Sequence, residues 1–175
     1  EFNSWGLIFG RGGGPPGDYN EANVLSIGNF YSNNYGGMWG SATNNEGVFN
    51  QAGLTSIGDV FADNEVVGPF LMGHYRRENS HSNTLRAELL GTQFVNNPYA
   101  FRATASYAGG TATDNTVTLL VRNAVADNVP VILEHVRNGA PPDNGSNRVI
   151  MVGSHTAFEQ ANTGLTAPPL EGWNP

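Results

Sequence analysis

The chain has 175 residues, a formal net charge of −7, eight arginines with no lysine, and no cysteine. That length suits one domain with a substantial core. An acidic, lysine-free surface argues against nucleic acid and anionic membranes as partners, the lack of cysteine excludes disulfides, and no apolar run reaches the ~18 residues of a membrane-spanning helix.

Charged residues make up only 13%, while glycines number 23. Asn, Ser and Thr carry the polarity instead. Such residues form helices poorly, so a β-rich, turn-rich protein is expected. No secretory signal peptide opens the sequence, so the chain is expected to be mature, trimmed or an expressed piece.

Trp5 to Phe9 reads as a short strand and Arg11 to Asn23 as a loop. The glycines of that loop resemble a phosphate cradle, but no helix follows, so a dinucleotide or P-loop reading fails its context. From Val24 the chain repeats. VLSIGNFYSNNYGG (24–37) returns as LTSIGDVFADNEVV (54–67), AELLGTQFVNNPYA (87–100) and TLLVRNAVADNVPV (118–131). Each copy is an apolar-rich run, a polar break, then Asn-Asn or Asp-Asn. The last Asn forms a column, Asn34, Asn64, Asn97 and Asn128, with spacings of 30, 33 and 31. A period near 30 residues points to a solenoid.

Within a unit, Leu25 and Ile27 alternate with Ser26 and Gly28, as in a strand. Gly28, Gly58 and Gly91 mark a bend whose column is broken at Arg122. A second strand starts at Gly37, again within VVGPFLMGHY (66–75), at Phe101, and in VILEHVR (131–137). A weaker fifth unit starts at Val149. Prolines at 168, 169 and 175 are expected to take the tail out of the repeat to cover its end. The organisation is thus a partial rung and loop over 1–23, rungs over 24–164, and a tail or cap over 165–175.

In a parallel coil, equivalent residues of successive turns lie about 4.8 Å apart, so like stacks on like. Tyr31, Phe61, Phe94 and Val125 are expected to form an apolar stack. The Asn column is expected to form a ladder of amides, each donating to the next. The pattern apolar-Gly-x-x-aromatic-x-Asn/Asp-Asn, with this rung length, resembles the right-handed parallel β-helix (pectate-lyase-like) repeat from about Val24 to Gly164. The resemblance implies an all-β fold, a right-handed parallel β-helix solenoid of about five rungs. An antiparallel β-sandwich is the alternative. The superfamily includes polysaccharide lyases and hydrolases, phage tailspikes, adhesins and surface proteins, which implies an extracellular, cell-surface or virion setting. Its catalytic motifs do not carry over: the paired Asp and Gly-His-Gly set of polygalacturonases is missing, and Gly73-His74-Tyr75 is a partial echo.

Four variable segments, 41–50, 76–83, 104–116 and 138–148, follow the same strand, and in a solenoid such insertions emerge on one face. The strand before them carries Trp39, Tyr75, Arg102, Glu134, His135 and Arg137. Counted from the Asn column, Trp39 and Arg102 stand at +5, His135 at +7 and Arg137 at +9. Odd positions share a face. Trp39, Arg102, His135 and Arg137 are therefore expected to point outward together. With Tyr75 and Arg76 they would bind polysaccharide, an aromatic face stacking on sugar and Arg or His reaching its oxygens.

The run His74-Tyr75-Arg76-Arg77-Glu78, with His81, is the densest ionisable group. It offers no third ligand at zinc spacing. Asp114, Asp143, Glu46 and Glu78 could supply calcium with backbone carbonyls, and no other cofactor is expected. No carboxylate pair singles itself out for glycoside hydrolysis, so catalytic residues are unknown and a lyase or hydrolase ranks third. The alternative to polysaccharide binding is a structural or adhesive module. Trp5 to Phe9 lacks the Asn corner and leaves a sheet edge open: either upstream rungs were cut away, or another copy fills the edge to give a homo-oligomer or filament.

Overall fold

The computed structural model describes residues 3–10, 18–43, 47–74, 80–106, 112–126, 131–136 and 146–154. Strand β1 (Asn3–Phe9) precedes a first turn of β2 (Glu21–Ile27), β3 (Phe30–Ser32) and β4 (Asn34–Thr43). The next turns are β5 (Gln51–Ile57), β6 (Val60–Ala62) and β7 (Val67–His74), then β8 (Thr84–Leu90), β9 (Gln93–Val95) and β10 (Arg102–Ser106). After them come β11 (Thr116–Arg122), β12 (Val125–Ala126), β13 (Ile132–Val136) and β14 (Arg148–Ser154).

Strands of like position stack into three sheets, ordered β1-β4-β7-β10-β13, β2-β5-β8-β11-β14 and β3-β6-β9-β12, which we call A, B and C. Pairing within each is parallel. The molecule is an all-β parallel solenoid, and the antiparallel sandwich is excluded. About three complete turns are described (18–43, 47–74 and 80–106), not five. The larger count also took in the turn of β11, β12 and β13, described only over 112–126 and 131–136, and everything from Val149, of which only β14 is described. The first turn already pairs at Glu21, three residues ahead of the expected boundary.

Each turn bends at left-handed residues, which reverse the chain without a long loop. One bend holds Gly28, Gly58 and Gly91 at φ 62°, 62° and 61°, then Asn123 at 51°. Arg122 does not interrupt this column, because it pairs with Leu90 and leaves Asn123 at the bend. The second bend holds Asn33, Asp63 and Asn96, the third Tyr19, Phe49, Ser82 and Asp114.

Buried Asn side chains stand behind the last two bends. Asn34 donates from its backbone N and its Nδ2 to Asn64 Oδ1 (3.2 and 3.4 Å). Asn64 donates in the same way to Asn97 Oδ1 (3.1 and 2.9 Å). This is the expected ladder; Asn128 lies outside the described residues. A second, longer ladder was not anticipated. Asn20, Asn50, Asn83, Asn115 and Asn147 pass Nδ2-to-Oδ1 bonds of 3.0, 3.0, 2.9 and 3.1 Å. Each Oδ1 also accepts the backbone N–H of the preceding turn, so a donor turned out of the sheets by the bend is not left orphaned. At the glycine bend, fully buried Asp59 does the same work, accepting from Asn29 N at 2.8 Å and Ser56 Oγ at 2.6 Å.

The core lies between the sheets. Tyr31, Phe61 and Phe94 stack with centroids 4.9 and 5.7 Å apart and planes within 14°. Val125 does not continue them. Ala126 pairs with Phe94, and Val125, opposite Gln93, is 54% exposed. The alternation in β2 is real, but Ser26 is the buried partner and Leu25 and Ile27 face solvent. Ser26 Oγ is satisfied inside by Tyr31 Oη at 2.8 Å.

Candidate functional site

Hydrogen-bond register places Trp39, Phe70 and Arg102 in one column of sheet A. Arg102 Cζ sits 5.1 Å from the Phe70 ring centroid. Trp5 stacks on Trp39 at 6.0 Å and meets Tyr35 edge-on at 5.7 Å. Trp39 and Arg102 do come together, but at 7% and 9% exposure they form no solvent-facing platform. With Val67 and Met72, Trp39 and Phe70 make a second apolar cluster on the outer side of this sheet. Sheet A is therefore buried on both faces in β4 and β10, and its guanidinium is held over an aromatic ring in a dry setting.

Of the rest of the expected platform, only the strand position of His135 is described. Ile132, not His135, pairs with Arg102, and Leu133 pairs with Ala103 of the core. His135 follows Glu134, the partner of Thr104, and so does not share the Trp39–Arg102 column. The cause is a one-residue difference in register: distances were counted from Asn128, whereas ladder pairing aligns the strands, and a slip of one residue exchanges the faces. Tyr75, Arg76 and Arg137 lie outside the described residues. So do Asp143, Glu46 and Glu78 of the calcium expectation; Asp114 is described, its backbone N–H donating to Ser146 Oγ at 3.0 Å. Among the described residues no group of three or more His, Asp or Glu side chains could hold a metal ion.

Sheet B offers a different site, one the sequence reading passed over. A groove of about 550 Å³ crosses β2, β5 and β8 on the outer face. Its floor is Gly53, between Asn23 and Arg86 in the same column. A Cβ at Gly53 would strike Asn23 Oδ1 at 2.2 Å, so the bare backbone of Gly53 gives the Asn23 amide room to lie over it at the floor. Gln51, Thr55 and Thr84 line the groove with an amide and hydroxyls. Asn23 Nδ2 donates to Glu21 Oε1 at 2.7 Å, and Arg86 Nη2 to Glu88 Oε1 at 2.9 Å. Leu25, 65% exposed, adds an apolar patch.

The corner that leads into β2 and β5 carries the exposed aromatics Tyr19 and Phe49. Their rings stack at 5.3 Å with 15° between planes, and they are 75% and 44% exposed. Phe49 also meets His81 edge-on at 5.8 Å. Both aromatics hold left-handed backbone, φ 60° and 57°. For a bulky side chain that conformation costs on the order of 1–2 kcal/mol. The same column has Ser82 and Asp114, so the bend itself does not demand an aromatic. The available signal was the period: Tyr19 and Phe49 precede Asn20 and Asn50, which are 30 residues apart.

No family model matches the chain, and no curated protein and no solved structure matches it. Among the described residues no helix is long and apolar enough to cross a membrane.

Proposed function

We propose that this is an extracellular or surface-borne β-solenoid, of the right-handed pectate-lyase-like kind, that binds polysaccharide in the groove over Gly53. One observation carries the reading: an open groove rimmed by amide, hydroxyl and carboxylate groups begins two residues after an exposed, strained aromatic pair. Sugars need that combination, a flat apolar surface to stack on and short-range donors and acceptors for hydroxyls. The groove crosses strands, so a polymer laid along it meets Asn23, Gly53 and Arg86 as equivalent positions on successive turns. The function is recognition; among the described residues no catalytic set singles itself out for cleavage.

Gly53→Thr tests it. The residue lies in a strand, where Thr is favoured, and the close atoms, Asn23 Oδ1 at 2.2 Å and Cγ at 3.2 Å, belong to one exposed side chain that can swing away. In affinity electrophoresis against a panel of polysaccharides, the wild-type chain is expected to be retarded by at least one. Gly53→Thr is expected to lose the retardation with its unfolding temperature unchanged or raised. A wild-type chain retarded by none of the panel would sink the proposal.

A specific observation favours self-assembly as a second reading. Among the described residues, strands β2 and β3 end their sheets, and the inward residues Ala22, Val24 and Tyr31 are only partly buried. Their partners Ala52, Leu54 and Phe61 are buried at 4%, 2% and 0% exposure. Such an edge is a template for another strand. Light scattering across a concentration range, with electron microscopy, is expected to show oligomers or filaments; a strict monomer at high concentration removes this reading.

A further inference from the structure

We infer that the glycan taken by the sheet B groove is uncharged, a chain of neutral hexoses rather than of uronic acids or sulfated sugars; this rests on the groove being the polysaccharide site. The reason is the charge around it. Among the described residues Arg86 is the one cation lining the groove, and it pairs with Glu88 at 2.9 Å on the exposed surface. That pair cancels, while Glu21 at the start of β2 and Asp18 at the aromatic corner add two exposed carboxylates. Asp18 Oδ1 accepts from Val48 N at 3.0 Å and Glu21 Oε1 from Asn23 Nδ2 at 2.7 Å, so both carboxylates are held near the groove by neutral donors. The chain as a whole adds to the same sign, with a net charge of −7. A polyanion would bring its charges against this field, whereas hydroxyls would meet acceptors in Glu88 and both donors and acceptors in Asn23, Gln51 and Thr84. Bidentate arginines are the favoured partners of sugar carboxylates, and the arginine described in the groove already faces a carboxylate of its own.

The test uses matched probes. Neutral hexose oligosaccharides (β-1,4-glucan, β-1,3-glucan and mannan) are titrated by calorimetry into the full chain, followed by the same oligomers oxidised at C6 to carry carboxylates. The neutral member is expected to bind, and its oxidised form to bind about tenfold or more weakly at low salt, the gap narrowing as salt screens the field. Binding of the neutral form is expected to hold nearly constant over the same salt range. In Glu21→Gln/Asp18→Asn the gap is expected to shrink. If the oxidised form binds as well as or better than the neutral one, this inference is overturned while polysaccharide binding stands. If no oligomer of either kind binds, the groove is not a glycan site and both fall.

Discussion

Asn83 Nδ2 donates to Asn115 Oδ1 at 2.9 Å, and both residues are fully buried. The bond belongs to a chain of amides that crosses all the described turns at one corner. Asn83 is also its most connected member. Its Nδ2 reaches Gly47 O and Ser80 Oγ, and its Oδ1 accepts from both nitrogens of Asn50. Removing it strands several buried partners at once, each costing on the order of 1 kcal/mol. Asn83→Ala is therefore expected to lower stability by about 3 kcal/mol, or roughly 6–12 °C in a chain of this size. Asn20, at the exposed end of the ladder, has fewer partners, and Asn20→Ala is expected to cost less than about 1 kcal/mol. Equal losses at the two sites, measured by thermal unfolding, would show that the ladder is not what holds this corner.

Why one ladder was legible and the other not comes down to neighbours. Asn34, Asn64 and Asn97 follow Asn, Asp and Asn, so the doublet repeats along with the period. Asn20, Asn50, Asn83 and Asn115 follow Tyr, Phe, Ser and Asp, four side chains with nothing in common but a left-handed backbone. The period alone marks them. Strand alternation was legible in the same partial way. It told which residues share a face in β2, but not that the face with Ser26 is the inner one. That depended on the Tyr31 hydroxyl being inside to meet it. The Gly53 groove was invisible for another reason: it exists only once Asn23, Gly53 and Arg86, from three different turns, stand side by side in one column.

The aromatic stack tests the register. Phe61 is sandwiched between Tyr31 and Phe94 and has no exposed surface. Phe61→Ala opens a cavity in the middle of the core and is expected to cost about 3–5 kcal/mol. Val125 was expected in the same column but sits outside it, over half exposed. Val125→Ala is expected to change stability by less than about 0.5 kcal/mol. Denaturant unfolding of the two variants checks the assignment; a large loss at Val125 would restore the original column.

Trp39 separates the buried cluster of sheet A from the groove of sheet B. Its ring packs on Trp5 and is almost wholly enclosed. Trp39→Phe keeps an aromatic but gives up part of that contact, and is expected to cost about 1–3 kcal/mol. Because the side chain belongs to the other sheet, affinity for any polysaccharide that binds the wild type is expected to stay within about twofold, under half of the 1.4 kcal/mol that a tenfold change represents. A loss of binding with stability intact would move the site back to the Trp39–Arg102 column.

Phe49 offers the sharpest separation of stability from recognition. Replacing it by Asn removes the stacking partner of Tyr19, worth about 0.5–1.5 kcal/mol. It also installs a residue that accepts φ near 57° far more readily, recovering on the order of 1 kcal/mol of backbone strain. The two effects nearly cancel, so the unfolding temperature of Phe49→Asn is expected to stay within about 4 °C of wild type. Polysaccharide affinity is expected to fall about tenfold, close to the 1.4 kcal/mol of one lost aromatic contact. A marked drop in stability would mean that the aromatic pair is there to hold the corner together, and its exposed surface would then say nothing about sugars. Unchanged stability with binding lost would mean that the strain at this bend is maintained for recognition.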